Sequence, residues 1–108
     1  MQSAFNEIAA VDGERARQGA PYHEFLRAPT LSAGIYVLPA GTVDGQVPHK
    51  EDELYYVLRG RARMRVGVEE RRIGPGSVIF VSSEVQHRFH DIEEELAVLV
   101  VFAPAESE

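Results

Sequence analysis

The sequence predicts an all-β fold, and three observations carry that expectation. Short apolar runs rich in Val, Ile, Phe and Tyr recur along the chain. Glycine and proline punctuate them at close intervals, as in LPAG at 38–41, GPG at 74–76 and FAP at 102–104. One stretch, ARMRV at 62–66, alternates strictly, with Ala62, Met64 and Val66 on one face and Arg61, Arg63 and Arg65 on the other. Many short strands between tight turns argue for a sandwich or a barrel.

The elements follow in order. The first twelve or so residues predict a short helix, with Ser3 as its cap and Gly13 beyond its end. LSAGIYVL at 31–38 is a strand, closed by the LPAG turn. PHKEDELYYVLRG at 48–60 is locally ambiguous: Pro48, the acids and Gly60 also suit a helix, but two tyrosines and a valine in a row prefer a pleated surface. We read it as a loop and then a strand. ARMRV turns at Gly67 into a return strand near Glu70–Ile73, and SVIFV at 77–81 and LAVLVVF at 96–102 complete the set. The arginine stripe reads as a solvated outer face paired with Glu69 or Glu70.

Composition narrows the function. At 108 residues the chain is one small domain, with an N-terminal segment over 1–21 and a barrel over 22–104. The net charge of −6 and the lack of a dominant basic stripe argue against a nucleic-acid partner. No apolar run is long enough to span a bilayer as a helix, and the first twenty residues lack the basic start and apolar core of a signal peptide. There is no cysteine, hence no disulfide framework and no thiolate chemistry. The expected setting is the cytoplasm.

The chemistry concentrates around His49. A lone histidine beside acids is ordinarily an exposed loop residue. In extended chain, His49 and Glu53 would stand about 13 Å apart, at about 3.3 Å per residue. They share a metal ion only if the chain turns at Lys50–Asp52, where three consecutive charged residues suit a turn. His90 falls on the opposite strand parity from His87 and reads as a strand-end or surface residue; His23 reads as a surface residue too.

The spacing carries more. Gly41 is followed by five residues and then Val47, Pro48, His49, three residues, Glu53, six residues and Gly60. GSVIFVSSEVQHRFHD then begins at Gly76, after an interval of fifteen residues. The first run resembles the first motif of the cupin superfamily, Gly-x5-His-x-His-x3-Glu-x6-Gly, with Val47 where the first histidine belongs. The second is similar to Gly-x5-Pro-x-Gly-x2-His-x3-Asn: Gly76 and His87 match, while Ser82, Glu84 and Asp91 replace proline, glycine and asparagine. The resemblance implies a conical antiparallel β-barrel (a jelly roll) holding one divalent metal, Fe, Mn, Ni or Zn. Carried over residue by residue, the ligands are His49, Glu53 and His87. Gln46 is the nearest polar substitute for the missing ligand and Asp44 the next, although strand parity points Gln46 away unless a bulge reorients it. Val47, Tyr36, Tyr55, Phe89 and Phe102 are expected to line the pocket.

Two histidines and a carboxylate suit a dioxygenase-like enzyme acting on a small organic substrate. The alternatives are a non-catalytic small-ligand-binding or sensing module, and a metal-dependent isomerase or epimerase. Leu54, Tyr56 and Leu58 occupy the other face of the Glu53 strand. That face needs a cover, either the N-terminal segment or a second copy, and a homodimer is expected.

Overall fold

The computed structural model describes residues 2–107. One helix, α1 (Ile8–Gln18), precedes eight strands: β1 (Tyr22–Ala28), β2 (Leu31–Leu38), β3 (Asp52–Arg59), β4 (Ala62–Val66), β5 (Glu69–Ile73), β6 (Val78–Val81), β7 (His87–His90) and β8 (Leu96–Ala103). They form two antiparallel sheets, one in the order β1-β2-β8-β3-β6 and the other β5-β4-β7. The apolar faces of the two sheets close on a core that includes Tyr55, Val57, Met64, Phe89 and Val98. This is the antiparallel β-barrel that the sequence predicts.

The alternating stretch becomes β4 with the expected faces: Ala62 and Met64 are buried, and Arg63 pairs with Glu70 at 3.0 Å across to β5. The helix is where the expectation errs. It runs to Gln18, Gly13 lies inside it, and Ser3 is not its cap; Glu7 precedes its first turn without a side-chain cap bond. The residue that ends it is Gly19, in the left-handed conformation at φ 66°, where glycine carries no side-chain penalty. Arg15 and Arg17 in the last turn also suit the helix dipole. The helix packs Val11 against Ile35, Val37 and Ala97, and so covers one end of the five-stranded sheet.

Two glycines are there because backbone or ring lies too close for a side chain. A Cβ on Gly60, at φ 94°, would meet the Glu95 carbonyl oxygen at 2.3 Å, so the turn between β3 and β4 can pass β8 only as glycine. A Cβ on Gly34 would meet the Tyr22 ring at 2.4 Å, so the absent side chain lets Tyr22 lie across β2.

The turn needed at Lys50–Asp52 is present, and another loop holds it. Ser83 N–H donates to Asp52 Oδ1 at 2.8 Å, Ser83 Oγ donates to the Lys50 carbonyl at 2.6 Å, and Glu84 N–H donates to the His49 carbonyl at 2.7 Å. The loop before β7 thus bends the chain before β3. Glu84, standing where the family motif has glycine, keeps a left-handed φ of 67°.

Candidate metal centre

Glu53 is the second residue of β3 and points into the barrel, 1% exposed. His87 opens β7 in the facing sheet and is also buried. His49 arrives from the loop that the 82–85 turn holds in place. One ligand atom from each lies within 4.8 Å of the others. His87 Nε2 stands 3.2 Å from Glu53 Oε2, and His49 Nδ1 stands 3.3 Å from Glu53 Oε1.

The polar partners of these groups orient them. His87 Nδ1 lies 2.9 Å from the Val85 carbonyl, to which it donates, so Nε2 faces Glu53 with a proton in the imidazolium and with a lone pair in the neutral ring. The Tyr55 hydroxyl donates to Glu53 Oε1 at 2.7 Å and lies 3.2 Å from both His87 Nε2 and Gln46 Oε1. Burial opposes the Glu53 charge more than any other single influence. Hydrogen bonds with His87 and Tyr55 and the nearby imidazoles together outweigh it and hold the carboxyl below its usual range. His87 moves the other way: burial disfavours its charged form, but Glu53 and the Val85 carbonyl raise its pKa. Tyr55 is raised by burial first and by the Glu53 charge second, so it stays a neutral phenol.

His49 Nδ1 is buried and has no hydrogen-bond partner among the described residues, despite the Glu53 oxygen 3.3 Å away. A buried imidazole nitrogen that faces a carboxylate without bonding to it, beside a second imidazole, is arranged for a shared third atom. Two imidazole nitrogens and a carboxylate are a donor set for a borderline divalent ion. The residues present fit such an ion.

Residues 43–49 form no strand, so alternation does not govern which of them points inward. Asp44, buried at 4% exposure, does. Its Oδ1 accepts from the Tyr36 hydroxyl at 3.0 Å and the Gln46 N–H at 3.3 Å; its Oδ2 accepts from Gln46 Nε2 at 2.8 Å and the Phe89 N–H at 2.9 Å. Bonding the Gln46 amide nitrogen turns the amide oxygen toward Tyr55. The parity argument against Gln46 therefore fails. Val47, expected to line the pocket over His49, is 70% exposed and sits instead on a second cleft, which it lines with Gln46, Arg65 and His87.

A cavity of about 210 Å³ opens over His49, and Tyr36, Tyr55, Phe102 and Gln46 line it. Phe89, also expected there, is fully buried one layer deeper, with its ring edge-on to Tyr55 at 5.1 Å. Three further cavity residues, Tyr22, Val100 and Glu106, escape the sequence reading. Glu106 lies beyond the last strand, in a segment that reads as a polar tail. Tyr22 precedes β2 with no local sign of its role. His90 is outside the site: its Nε2 lies 2.9 Å from Glu70. His23 lies half-buried on β1.

The fold and the converging donors define a small β-barrel protein with a histidine–carboxylate centre. Residues 34–103 match the family described as Cupin domain, and the chain belongs to that family. It is 48% identical over 97 residues to the uncharacterized protein SCO3923 of Streptomyces coelicolor, covering 90% of this chain and 92% of that one. Among solved structures it is similar to TT1209 of Thermus thermophilus, with TM-score 0.75 and 21% identity over 95% of this chain and 99% of that one. It is also similar to the DMSP lyase DddQ of Ruegeria pomeroyi, with TM-score 0.69 and 24% identity over 82% of this chain and 49% of that one. These structural likenesses support the fold. No helix among the described residues is long and apolar enough to cross a membrane.

Proposed function

We propose that this cupin holds one divalent metal through His49, Glu53 and His87 and acts as a dioxygenase-like enzyme on a small organic molecule in the cavity above them. The observation that carries this reading is the buried His49 Nδ1, unpartnered within 3.3 Å of a carboxylate oxygen. A bound ion supplies Lewis-acid polarisation or O₂ activation at positions the protein leaves open. The chain's own residues do the rest. Val85 fixes the His87 tautomer, Tyr55 orients the Glu53 carboxylate, and Asp44 aims the Gln46 amide oxygen at the Tyr55 hydroxyl. Tyr36, Phe102 and Val100 enclose the ligand and keep bulk water away. In this reading the protein works in the cytoplasm.

A homodimer belongs to the same proposal. Leu54 and Tyr56 on β3 pair with Phe80 and Val78 on β6, and these side chains are 43–62% exposed on the outer face of the sheet. The helix covers only the far end of that face, at Leu58.

Elemental analysis of protein purified without chelator tests the metal. Near-stoichiometric divalent metal is expected in wild type and little in His49→Ala. Iron supports the oxygenase, whereas zinc supports the non-catalytic binding module. Full metal content in the His49→Ala and His87→Ala variants defeats the ligand assignment.

A further inference from the structure

The cavity has a second polar end, and its groups are idle. The Tyr22 hydroxyl is buried and without a hydrogen-bond partner among the described residues. Its ring lies over Gly34, edge-on to Tyr36 at 6.4 Å, so it is seated by packing. Glu106 joins the lining from beyond β8, and its backbone is fastened there. Its N–H donates to Ser32 Oγ at 2.9 Å, its carbonyl accepts from Arg27 Nη2 at 2.6 Å, and the next N–H, of Ser107, donates to Glu51 Oε2 at 3.3 Å. Arg27 spends its guanidinium on that carbonyl and on Glu24, and the Glu106 side chain has no cation of its own. Its one basic neighbour within 4 Å among the described residues is His49, whose Nε2 lies 3.6 Å from Oε2. Among the described residues lining the cavity there is no lysine or arginine.

A carboxylate held by its backbone in a cavity, beside an unused phenol and with no arginine bonded to its oxygens, is placed to receive a donor. We propose that Tyr22 and Glu106 are specificity-determining residues. They select a small neutral or cationic ligand that carries a hydroxyl or amino group at the Tyr22–Glu106 end, across the His49 ring from Glu53, and they reject a ligand that carries a carboxylate or phosphate there. The Glu106 carboxylate accepts from the ligand's donor, and the Tyr22 hydroxyl donates to its oxygen or to a neighbouring acceptor. A ligand anion at this end meets Glu106 without a compensating cation, and like charges brought together at a desolvated contact are strongly disfavoured. A cavity of about 210 Å³ also restricts the choice to small molecules. The inference rests on the reading of this cavity as the ligand site, but not on the metal.

The test therefore uses metal-free protein and three probes with one three-carbon skeleton: 3-aminopropan-1-ol, propane-1,3-diol and 3-hydroxypropanoate. Each is titrated while the Tyr22 ring and Glu106 amide signals are followed by NMR. The amino alcohol is expected to bind about tenfold more tightly than the hydroxy acid, with the diol between them. In Glu106→Gln the ratio collapses toward one, and in Tyr22→Phe the diol weakens. Equal affinities in wild type, an order that survives Glu106→Gln, or probes that leave both signals unmoved overturn the proposal. Failure of the metal assignment has a separate signature: no metal uptake, with the probe order intact.

Discussion

Strand β3 has two faces that differ in kind. Inward, Glu53, Tyr55 and Val57 are essentially unexposed, and the polar pair is bonded to itself and to the opposite sheet. Outward, Leu54 and Tyr56 are 44% and 43% exposed, beside Val78 and Phe80 on the neighbouring strand. The usual order is reversed: the charged group lies inside and the apolar groups face out. An inward carboxylate persists because His87 and Tyr55 hold its charge, and its oxygens remain near an unpartnered imidazole nitrogen. The outward apolar row has no such partner among the described residues. In the proposed reading an ion fills the inner side and a second copy covers the outer one.

The inner face breaks most severely. His87→Ala removes a proposed ligand and leaves Glu53 charged and buried without its pair. Metal affinity should fall at least about 100-fold, since losing an outer-shell partner alone costs about 10- to 100-fold. The metal-free protein should lose about 3 kcal/mol, the cost of breaking a buried pair from one side. Isothermal titration and denaturant melts measure the two effects. Loss of affinity without loss of stability would mean that Glu53 takes up a proton once His87 is gone.

The outer face breaks through association. Tyr56→Glu places a charge among Leu54, Val78 and Phe80, and a dimer built on that face should sediment as monomer while keeping its metal content. A wild type that sediments as monomer at micromolar concentration removes the dimer. Unchanged sedimentation of a dimeric Tyr56→Glu moves the interface elsewhere.

Acid and base sharpen the inner face further. Glu53 is depressed in the fold, so its contribution is complete above the ordinary carboxylate range and is lost as pH falls through its lowered value. His87 is raised, so its contribution is complete below the ordinary imidazole value and is lost as pH rises through its raised value. The metal-free protein should therefore melt highest between about pH 4.5 and 6.5. A metal needs His87 neutral, so the gain in melting temperature on adding metal should be larger at pH 8 than at pH 6. Melts across that range with and without zinc check both statements; a metal gain that shrinks with rising pH would remove His87 from the ligand set.

What could be read from the sequence was what repeats locally or by fixed spacing. β4 alternates, and Gly60 sits at a set distance from Glu53 because only glycine passes the Glu95 carbonyl there. The convergence of His49 and Glu53 needed only a turn, and charged residues marked it. The helix end was misplaced because Gly13 and Gly19 look alike in sequence, and only backbone conformation distinguishes them. Tyr22 and Glu106 were not legible, since they reach the cavity through contacts with Gly34, Ser32 and Arg27, up to 79 residues away. The register of 43–49 failed for a related reason: a buried aspartate bonded to β2 and β7 sets it.

That register yields the smallest expected effects. Gln46→Ala removes an amide oxygen that lies 3.2 Å from the Tyr55 hydroxyl and is aimed by Asp44. Metal affinity should fall by about tenfold, the lower end of what an outer-shell partner contributes. Val47→His should do almost nothing, although Val47 stands where the family motif has a ligand. Its side chain is 70% exposed on the second cleft, and bringing it inward would require residues 46 and 47 to exchange sides. That exchange breaks the Asp44 bonds to Gln46 while leaving Asp44 buried with fewer partners. Affinity in Val47→His should therefore stay within about twofold of wild type, a difference of under about 0.5 kcal/mol. The double variant Gln46→Ala/Val47→His decides the point, because removing the Gln46 side chain frees the loop to turn. If affinity rises above wild type only in the double variant, Asp44 and Gln46 together exclude a fourth imidazole. If it rises in Val47→His alone, the loop already samples the other register, and the placement of Gln46 beside Tyr55 is wrong.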